Sequence, residues 1–330
     1  MKTIESLQNI LRPSNWSEIV GQEVAVSVLS KQIAENKLKQ AFLFCGGSGT
    51  GKTSAARVMC RQLNGEDGYP DEFDASRNSD IGSIRDLIES VKRVSLDQRY
   101  RVVIIDECHN LQNKSFDTLL KTLEEPPKHV IFILCTTEPD KIPNTIKTRC
   151  QRFDFYRVDK KTLADNIRYV CKTKLEKPIE DYAAKMIAES SDGSVRESLK
   201  LLEQCYDYGD LTEENVEKVL NKYSIKDLIE LLRAFQEDNG TKAIEIQDRI
   251  VTKNHALVNV FDQLIRVILD LKRYYINRDV KNTMFTENPE INMDLNPYLE
   301  ELMSYRTHVN QSTAEILFKK FAMGGKRHDI

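Results

Sequence analysis

The feature that most constrains this chain is a glycine-rich segment that fits the phosphate-binding loop pattern: Gly46-Gly47-Ser48-Gly49-Thr50-Gly51-Lys52-Thr53. It follows the apolar run Ala41–Cys45, as expected of a loop that joins a buried strand to a helix. Glycines let such a loop turn tightly and direct backbone N–H groups at phosphate oxygens, and the helix dipole adds positive potential. We therefore expect the whole segment to bind a nucleotide, with Lys52 on the β- and γ-phosphates and the Thr53 hydroxyl on Mg²⁺.

A second apolar run, Val102–Ile105, ends in two adjacent carboxylates, Asp106 and Glu107. Phosphoryl transfer depends on positioning and on charge stabilisation, so it needs a metal ligand and a group that orients water. We expect Asp106 to hold Mg²⁺ through water and Glu107 to orient and polarise the attacking water. An Asp-Glu pair alone is common at strand ends, and the upstream phosphate loop is what makes it specific.

The first half of the chain alternates short apolar runs with helical patterns, which predicts a parallel sheet covered on both faces. Besides the two runs above, we expect a strand at Val130–Cys135, lying between the other two, and weaker strands at Glu72–Ala75 and Gln151–Phe155. Helices are predicted between the strands, over Ser83–Val94 and Ser115–Leu123.

After Phe155 the pattern becomes helical throughout. Helices are predicted over the following ranges: Thr162–Thr173, Glu180–Ser190, Val195–Tyr206, Glu213–Leu220, His255–Tyr275 and Tyr298–Phe321. We expect an α/β phosphate-loop domain at residues 1–156, a small all-α domain at 157–222 and a second all-α domain at 223–330.

Composition and charge indicate which classes of protein this chain does not belong to. The chain lacks an 18-residue apolar run and a signal-peptide pattern at Met1 to Leu11, so we expect a cytoplasmic protein without membrane contact. The formal net charge of −3 means that nucleic acid would have to bind a local basic face or an assembly. The seven cysteines and five histidines lack metal-ligand spacing, so we expect buried free thiols in a reducing compartment.

Several segments together resemble the gamma/tau ATPase subunits of bacterial clamp loaders, which are AAA+ proteins. The resemblance covers residues 10 to about 206. It is carried by Arg12-Pro13, Trp16 and Val20-Gly21-Gln22, by Asp74-Ala75-Ser76-Arg77, by Phe116 and Leu119–Pro127, by Thr148-Arg149-Cys150, and by Gly193–Glu197.

The resemblance implies ATP and Mg²⁺ as cofactors, a helical lid at 157–222, a helical collar at 223–330, and further site residues. Val20 and Arg12 would belong to the adenine pocket, and Thr137 would be the first sensor of the γ-phosphate. Arg196, on the lid, would be the second sensor. Arg149 would be an arginine finger that reaches the ATP of a neighbouring subunit, since a guanidinium stabilises charge on transferring phosphoryl oxygens. Surface salt bridging is the alternative for both arginines.

As a function, the resemblance implies the ATP-hydrolysing subunit of a sliding-clamp loader, which opens the clamp and places it on primer–template DNA. The implied partners are the clamp, other loader subunits in a pentameric ring, and DNA held mainly through phosphates. Arg77, Arg85 and Lys114 are candidate DNA contacts. One alternative is another AAA+ motor, such as a helicase loader or a branch-migration ATPase. A non-enzymatic scaffold subunit is disfavoured because Lys52, Thr53 and Glu107 are all present.

The sequence departs from that family in three ways. The four-cysteine zinc module is missing after Cys60, so we expect no zinc. Thr148 stands where serine is usual, and the hydroxyl is kept. The chain stops at Ile330 without the long tail of the tau type, so we expect no coupling to a helicase or polymerase through such a tail.

Overall fold

The computed structural model describes residues 6–94, 98–220, 225–237 and 239–251, with residues 262, 264–265, 267–269, 300 and 302–304. The chain divides into two compact units, residues 1–207 and 208–330. The helices predicted over 255–275 and 298–321 fall largely outside the described residues. The division at 156/157 and 222/223 stays a prediction.

The first unit is built around a five-stranded parallel sheet. Its strands are β1 (Ala41–Gly46), β2 (Asp71–Asp74), β3 (Arg101–Asp106), β4 (Val130–Thr136) and β5 (Gln151–Phe155). They lie in the order β2-β3-β4-β1-β5, so β4 separates the phosphate-loop strand from the Asp-Glu strand, as predicted. Cys45 is paired with Thr136, and Ile105 with Leu134. Because the strands are parallel, their carboxyl ends meet at one edge of the sheet.

Twelve α-helices have both ends within the described parts of the chain. They are α1 (Leu7–Ile10), α2 (Glu23–Ala34), α3 (Lys52–Asn64), α4 (Ile81–Val91), α5 (Asn113–Glu124), α6 (Asn144–Lys147), α7 (Lys160–Thr173), α8 (Asp181–Ser190), α9 (Val195–Tyr208), α10 (Glu213–Val219), α11 (Ile225–Gln236) and α12 (Gly240–Val251).

Two predicted boundaries were shifted by local capping. The helix α4 begins earlier than predicted because the Asp80 side chain accepts the Ser83 N–H at 3.1 Å and fixes the helix start. It ends at Val91, before the predicted end at Val94. The strand β2 begins at Asp71 and ends one residue before the predicted end. Asp74 accepts the Ser76 N–H at 2.9 Å, which turns the chain away from the sheet.

Both faces of the sheet are buried, which explains the continuous apolar runs in its strands. Side chains alternate along β1: Leu43 and Cys45 join one core cluster, whereas Phe42 and Phe44 join the other. The first cluster includes residues of α4 and α5, and the second includes residues of α2 and α3. The sheet is therefore the middle layer of a three-layer domain.

Helices α7, α8 and α9 follow the sheet within the first unit, and α7 packs against α8. A hydrogen bond of 3.0 Å from Val158 N to Gly193 O ties the segment before α7 to the turn before α9. In the second unit, α11 packs against α12, and Arg249 forms ion pairs with Asp227 and Glu230. All seven cysteines are free thiols, as predicted. Across the described residues, we find no helix with the length and apolarity required to cross a membrane.

Candidate nucleotide-binding site

The phosphate loop leaves β1 at Gly46 and enters α3 at Lys52. Gly49 and Gly51 have φ of 73° and 100°, a backbone region that favours glycine. Lys52 is 6% exposed, and its Nζ donates to the carbonyl oxygens of Gly46 at 2.8 Å and Gly47 at 2.9 Å. The loop's own backbone therefore holds the ammonium group against it.

Burial lowers the pKa of Lys52, and the negative charges of Asp106 and Glu107 oppose that shift. These two acidic residues stand at the end of β3, and Lys52 stands at the start of α3. Opposite charges thus converge at the carboxyl edge of the sheet, where parallel-sheet proteins commonly bind ligands.

Thr53 and Asp106 come together as a pair of oxygen donors. The Thr53 hydroxyl donates to Asp106 Oδ2 at 2.9 Å, and the Glu107 N–H donates to Asp106 Oδ1 at 3.0 Å. Hydroxyl and carboxylate oxygens are the hard ligands that Mg²⁺ prefers, usually with phosphate oxygens and water completing the shell. The donor set at this position therefore fits Mg²⁺ bound together with a nucleotide.

Glu107 has a left-handed backbone conformation, with φ of 48°. Its carboxylate contacts Thr137, the residue after β4. Thr137 donates its hydroxyl hydrogen to Glu107 Oε2 at 3.0 Å. His109 also reaches this carboxylate, with Nδ1 at 3.4 Å from Oε2. His109 is not among the predicted site residues, although its position in the turn after the Asp-Glu pair places it close to the site.

A cleft of about 1370 Å³ lies beside the phosphate loop, which is ample for a nucleoside triphosphate. Its lining includes Ser48 to Ser54, Asp106, Glu107, Arg12, Val20 and Arg196, and apolar side chains Leu11, Ile19, Tyr169, Val170 and Leu199. The structure thus brings most of the predicted residues together around one space. The apolar side chains form a surface suited to a nucleobase.

The turn before α9 packs directly on the phosphate loop. The Val195 N–H donates to Gly49 O at 3.0 Å. A Cβ at Gly49 would lie only 2.0 Å from Ser194 Oγ, so glycine is required for this approach. Arg196 follows one residue later and lines the cleft. The predicted second-sensor arginine is therefore held beside the loop by backbone packing.

Gln22 is a second residue at the site without a predicted role of its own, although it belongs to the Val20-Gly21-Gln22 segment. Its side chain is 4% exposed and donates to Tyr156 O at 2.7 Å and Thr50 O at 3.2 Å. In return, the Tyr156 N–H donates to Gln22 Oε1 at 3.1 Å. Gln22 therefore links the phosphate loop to the chain that leaves the sheet after β5.

Three groups of predicted residues lie away from the described lining of the cleft. Gly46 and Gly47 contribute their carbonyls to Lys52, and Thr137 contacts Glu107. Arg149 donates from Nε to Glu124 Oε1 at 2.9 Å and from Nη1 to Thr145 O at 2.8 Å. Arg149 therefore lies outside the described lining of its own chain's nucleotide cleft.

The chain is similar to several known proteins. Residues 69–159 match the family described as DNA polymerase III, delta subunit. The chain is 32% identical to DNA polymerase III subunit tau of Bacillus subtilis over 82% of its length and 52% of that protein. It is 28% identical to DNA polymerase III subunit gamma of Buchnera aphidicola subsp. Schizaphis graminum, over 84% of its length and 83% of that protein.

The chain therefore spans about half the length of the Bacillus subtilis protein. Among solved structures, it superposes on the RuvB Holliday junction branch migration motor of Thermotoga maritima with a TM-score of 0.55 and 21% identity. That match covers 68% of this chain and 79% of the other. At this identity, the likeness shows a shared fold.

Proposed function

Because this chain is a clamp-loader-like AAA+ protein, whose helices fit a lid and a collar, we propose that it is the ATP-hydrolysing subunit of a sliding-clamp loader. The observation that carries the proposal is the convergence of Lys52, Thr53, Asp106 and Glu107 at one cleft. Lys52 and Thr53 come from the start of α3, and Asp106 and Glu107 come from the end of β3 and the residue after it. Each supplies a different requirement of phosphoryl transfer.

In this proposal the chain binds ATP by its phosphate loop and by the apolar surface near Val20. Lys52 neutralises charge on the β- and γ-phosphates, and the lid residue Arg196, which lines the same cleft, contacts the nucleotide as the second sensor. Thr53 and Asp106 would hold Mg²⁺, which supplies charge neutralisation and alignment of the phosphates.

Glu107 orients and polarises the attacking water, because its carboxylate lines the cleft next to Asp106. Thr137, assigned as the first sensor, donates to that carboxylate at 3.0 Å and so limits its rotation. Because Glu107 contacts both the attacking water and Thr137, contact of Thr137 with the nucleotide can control whether the Glu107 carboxylate is positioned for hydrolysis.

Arg149 serves a neighbouring subunit in the proposed ring. Its position outside the described lining of its own cleft supports a role in trans. Its ion pair with Glu124 is the salt bridge that the alternative predicts, so a trans role requires Arg149 to leave Glu124 in the assembled ring. The proposed assembly is a pentameric ring with ATP bound at the subunit interfaces. ATP binding would let this ring open a sliding clamp and place it on primer–template DNA. The proposed cellular location is the cytoplasm.

The proposal is tested by steady-state ATP hydrolysis of the full chain, assembled with its loader subunits, with and without sliding clamp and primed DNA. We expect stimulation only when both are present. Glu107→Gln should keep nucleotide binding and nearly stop turnover, because a carboxamide is a far poorer base than a carboxylate. A rate that ignores both clamp and DNA would refute the loader function.

Arg149→Ala provides the test for a subunit-bridging arginine. The isolated variant should bind ATP like the parent, whereas stimulated hydrolysis in the assembly should fall sharply. In GTPases an arginine finger in trans contributes about 10³- to 10⁵-fold in rate. Mixing this variant with Glu107→Gln should restore turnover at the shared interface; assembled mixtures without any rescue would favour a role within one chain.

A second candidate is a branch-migration motor, favoured by the fold shared with RuvB. Hydrolysis stimulated by four-way junction DNA, and not by clamp with primed DNA, would select it. The Leu119–Pro127 and Thr148-Arg149-Cys150 segments, which resemble clamp loaders, argue for the loader.

A further inference from the structure

His109 is a partly buried titratable residue beside the proposed site, and the roles assigned above do not include it. It lies in the turn Cys108–Asn110, directly after Glu107, and its side chain is 9% exposed. We propose that His109 is a positioning residue for Glu107, anchored in turn by Glu138. This inference rests on the proposed ATPase function.

The ring of His109 stands between two carboxylates and a hydroxyl. Nδ1 lies 3.4 Å from Glu107 Oε2 and 3.2 Å from Thr136 Oγ1. On the other side, Nε2 lies 3.1 Å from Glu138 Oε1. Both ring nitrogens are therefore engaged, and the two engagements lie on opposite edges of the ring.

Both carboxylates that face the ring can only accept hydrogen bonds, so each is held where the ring nitrogen opposite it carries the hydrogen. Thr136 Oγ1 also accepts the Glu138 N–H at 3.0 Å, so Thr136 fixes the segment that carries Glu138.

The anchor of His109 is rigid because it begins in the sheet. Thr136 is the last residue of β4 and has no exposed surface. Glu138 follows two residues later, and Lys141 Nζ lies 2.9 Å from its second carboxylate oxygen. His109 consequently links the turn after β3 to the loop after β4.

This link bears on Glu107 because that residue has an uncommon backbone. A non-glycine residue with φ of 48° persists only where its surroundings hold it. Asn110 Nδ2 donates to Glu107 O at 3.2 Å, while Thr137 and His109 both approach Oε2. The carboxylate is therefore confined by one hydroxyl and one imidazole edge, and removing the imidazole should let it rotate.

Two substitutions of His109 separate its two edges. An asparagine amide reaches roughly as far as Nδ1, and a glutamine amide reaches roughly as far as Nε2. His109→Gln should keep the link to Glu138 and lose the contact with Glu107, whereas His109→Asn should lose the link to Glu138. Glu138→Gln, which keeps an acceptor but removes the charge, provides a variant outside the turn.

The experiment measures binding of a fluorescent ATP analogue and single-turnover ATP hydrolysis for the full chain. We expect His109→Gln, which loses the contact with Glu107, to slow hydrolysis by about 10- to 100-fold, as expected when a reacting group is misplaced by about 1 Å. His109→Asn, which keeps an atom at the Nδ1 position and loses only the link to Glu138, should show a smaller loss. The analogue should bind with the parent affinity, and Glu138→Gln should show a smaller loss in the same direction. In a Glu107→Gln background, the His109 substitutions should cause no further loss, because His109 acts through Glu107.

His129→Gln is the matched control. His129 precedes the amino end of β4, whereas the cleft lies at the carboxyl ends of the strands, and its Nε2 contacts Val91 O at 3.0 Å. It should leave hydrolysis unchanged. An equal loss in the parent and Glu107→Gln backgrounds, or a parallel loss of analogue binding, would overturn the positioning role. Unchanged His109 variants beside an impaired Glu107→Gln would overturn this inference alone, whereas a fully active Glu107→Gln would overturn the proposed function with it.

Discussion

The contact between the phosphate loop and the turn before α9 predicts that Gly49→Ala weakens ATP binding. Gly49 has φ of 73°, and an added Cβ would lie 2.0 Å from Ser194 Oγ and 3.1 Å from Arg196 Cβ. The Ser194 hydroxyl also accepts the Glu197 N–H at 3.2 Å and so caps α9. The substitution therefore pushes the start of α9, with Arg196, away from the loop.

The size of the effect follows from two contributions. A side chain at positive φ costs about 1–2 kcal/mol, and the smaller freedom of the unfolded chain offsets about 0.4–1 kcal/mol of this. Relieving the overlap requires the contact to open from 2.0 Å to more than 3 Å, and overpacking of this kind costs about 1–3 kcal/mol. If ATP binding requires the closed contact, that second cost weakens affinity by about 5- to 150-fold.

The assay is equilibrium titration of a fluorescent ATP analogue in Mg²⁺, with urea unfolding measured in parallel. Gly65→Ala is the matched control, because Gly65 has φ of 93° but no atom within 4 Å of an added Cβ. It should lower stability slightly and leave affinity unchanged. Ser194→Gly in the Gly49→Ala background removes the closest clashing atoms and should recover part of the affinity.

Parent-like affinity in Gly49→Ala, with a stability loss matching that of Gly65→Ala, would refute this reasoning. It would mean that the contact between Gly49 and Ser194 is absent from the conformation that binds ATP. Failure of Ser194→Gly to recover any affinity would mean that backbone strain, and not the overlap, causes the loss.

Three further predictions concern the phosphate loop, the thiols and metal content. Lys52→Ala should abolish productive ATP binding, because the loop loses its main positive charge; analogue titration checks this, and retained hydrolysis would mean that the site is misassigned. Burial raises the pKa of Cys60 to about 11 and of Cys150 to about 12. Native chain at pH 8 should therefore react slowly with iodoacetamide and rapidly in guanidinium. Because folding raises the pKa of these thiols, their contribution to stability is fully present below the unfolded pKa near 9 and is lost as pH rises towards 11–12. The urea midpoint of unfolding should therefore be lower at pH 10 than at pH 8. Purified chain should contain no zinc by elemental analysis, and one zinc per chain would contradict this.

Much of the fold could be predicted from local sequence. The apolar runs ending at Cys45, Ile105 and Cys135 identified three central strands, since a strand buried on both faces needs an unbroken apolar sequence. The phosphate-loop pattern then fixed the order of strand, loop and helix. Helix bounds shifted where a single polar side chain, such as Asp80, decided the start.

The site residues of the phosphate loop and the Asp-Glu pair could also be selected from sequence, because their chemistry depends on residue type and on neighbours along the chain. The contacts of Arg149 could not, because Glu124 lies on α5, distant in sequence, and only folding brings the two together. Gln22 likewise joins Thr50 and Tyr156, which no local pattern connects.

His109 is the clearest example of a residue at the site that could not be predicted from the sequence. As a lone histidine without metal-ligand spacing, it carried no signal of its own. Its partners Thr136 and Glu138 belong to a different strand and loop, and parallel pairing of β3 with β4 sets them beside it. The sequence by itself determined which chemical groups each strand end carries, because burial and phosphate binding select residue types locally. Only the tertiary structure decided which of those groups touch, because contact at a sheet edge depends on the order of strands and on loop conformations that no segment specifies alone.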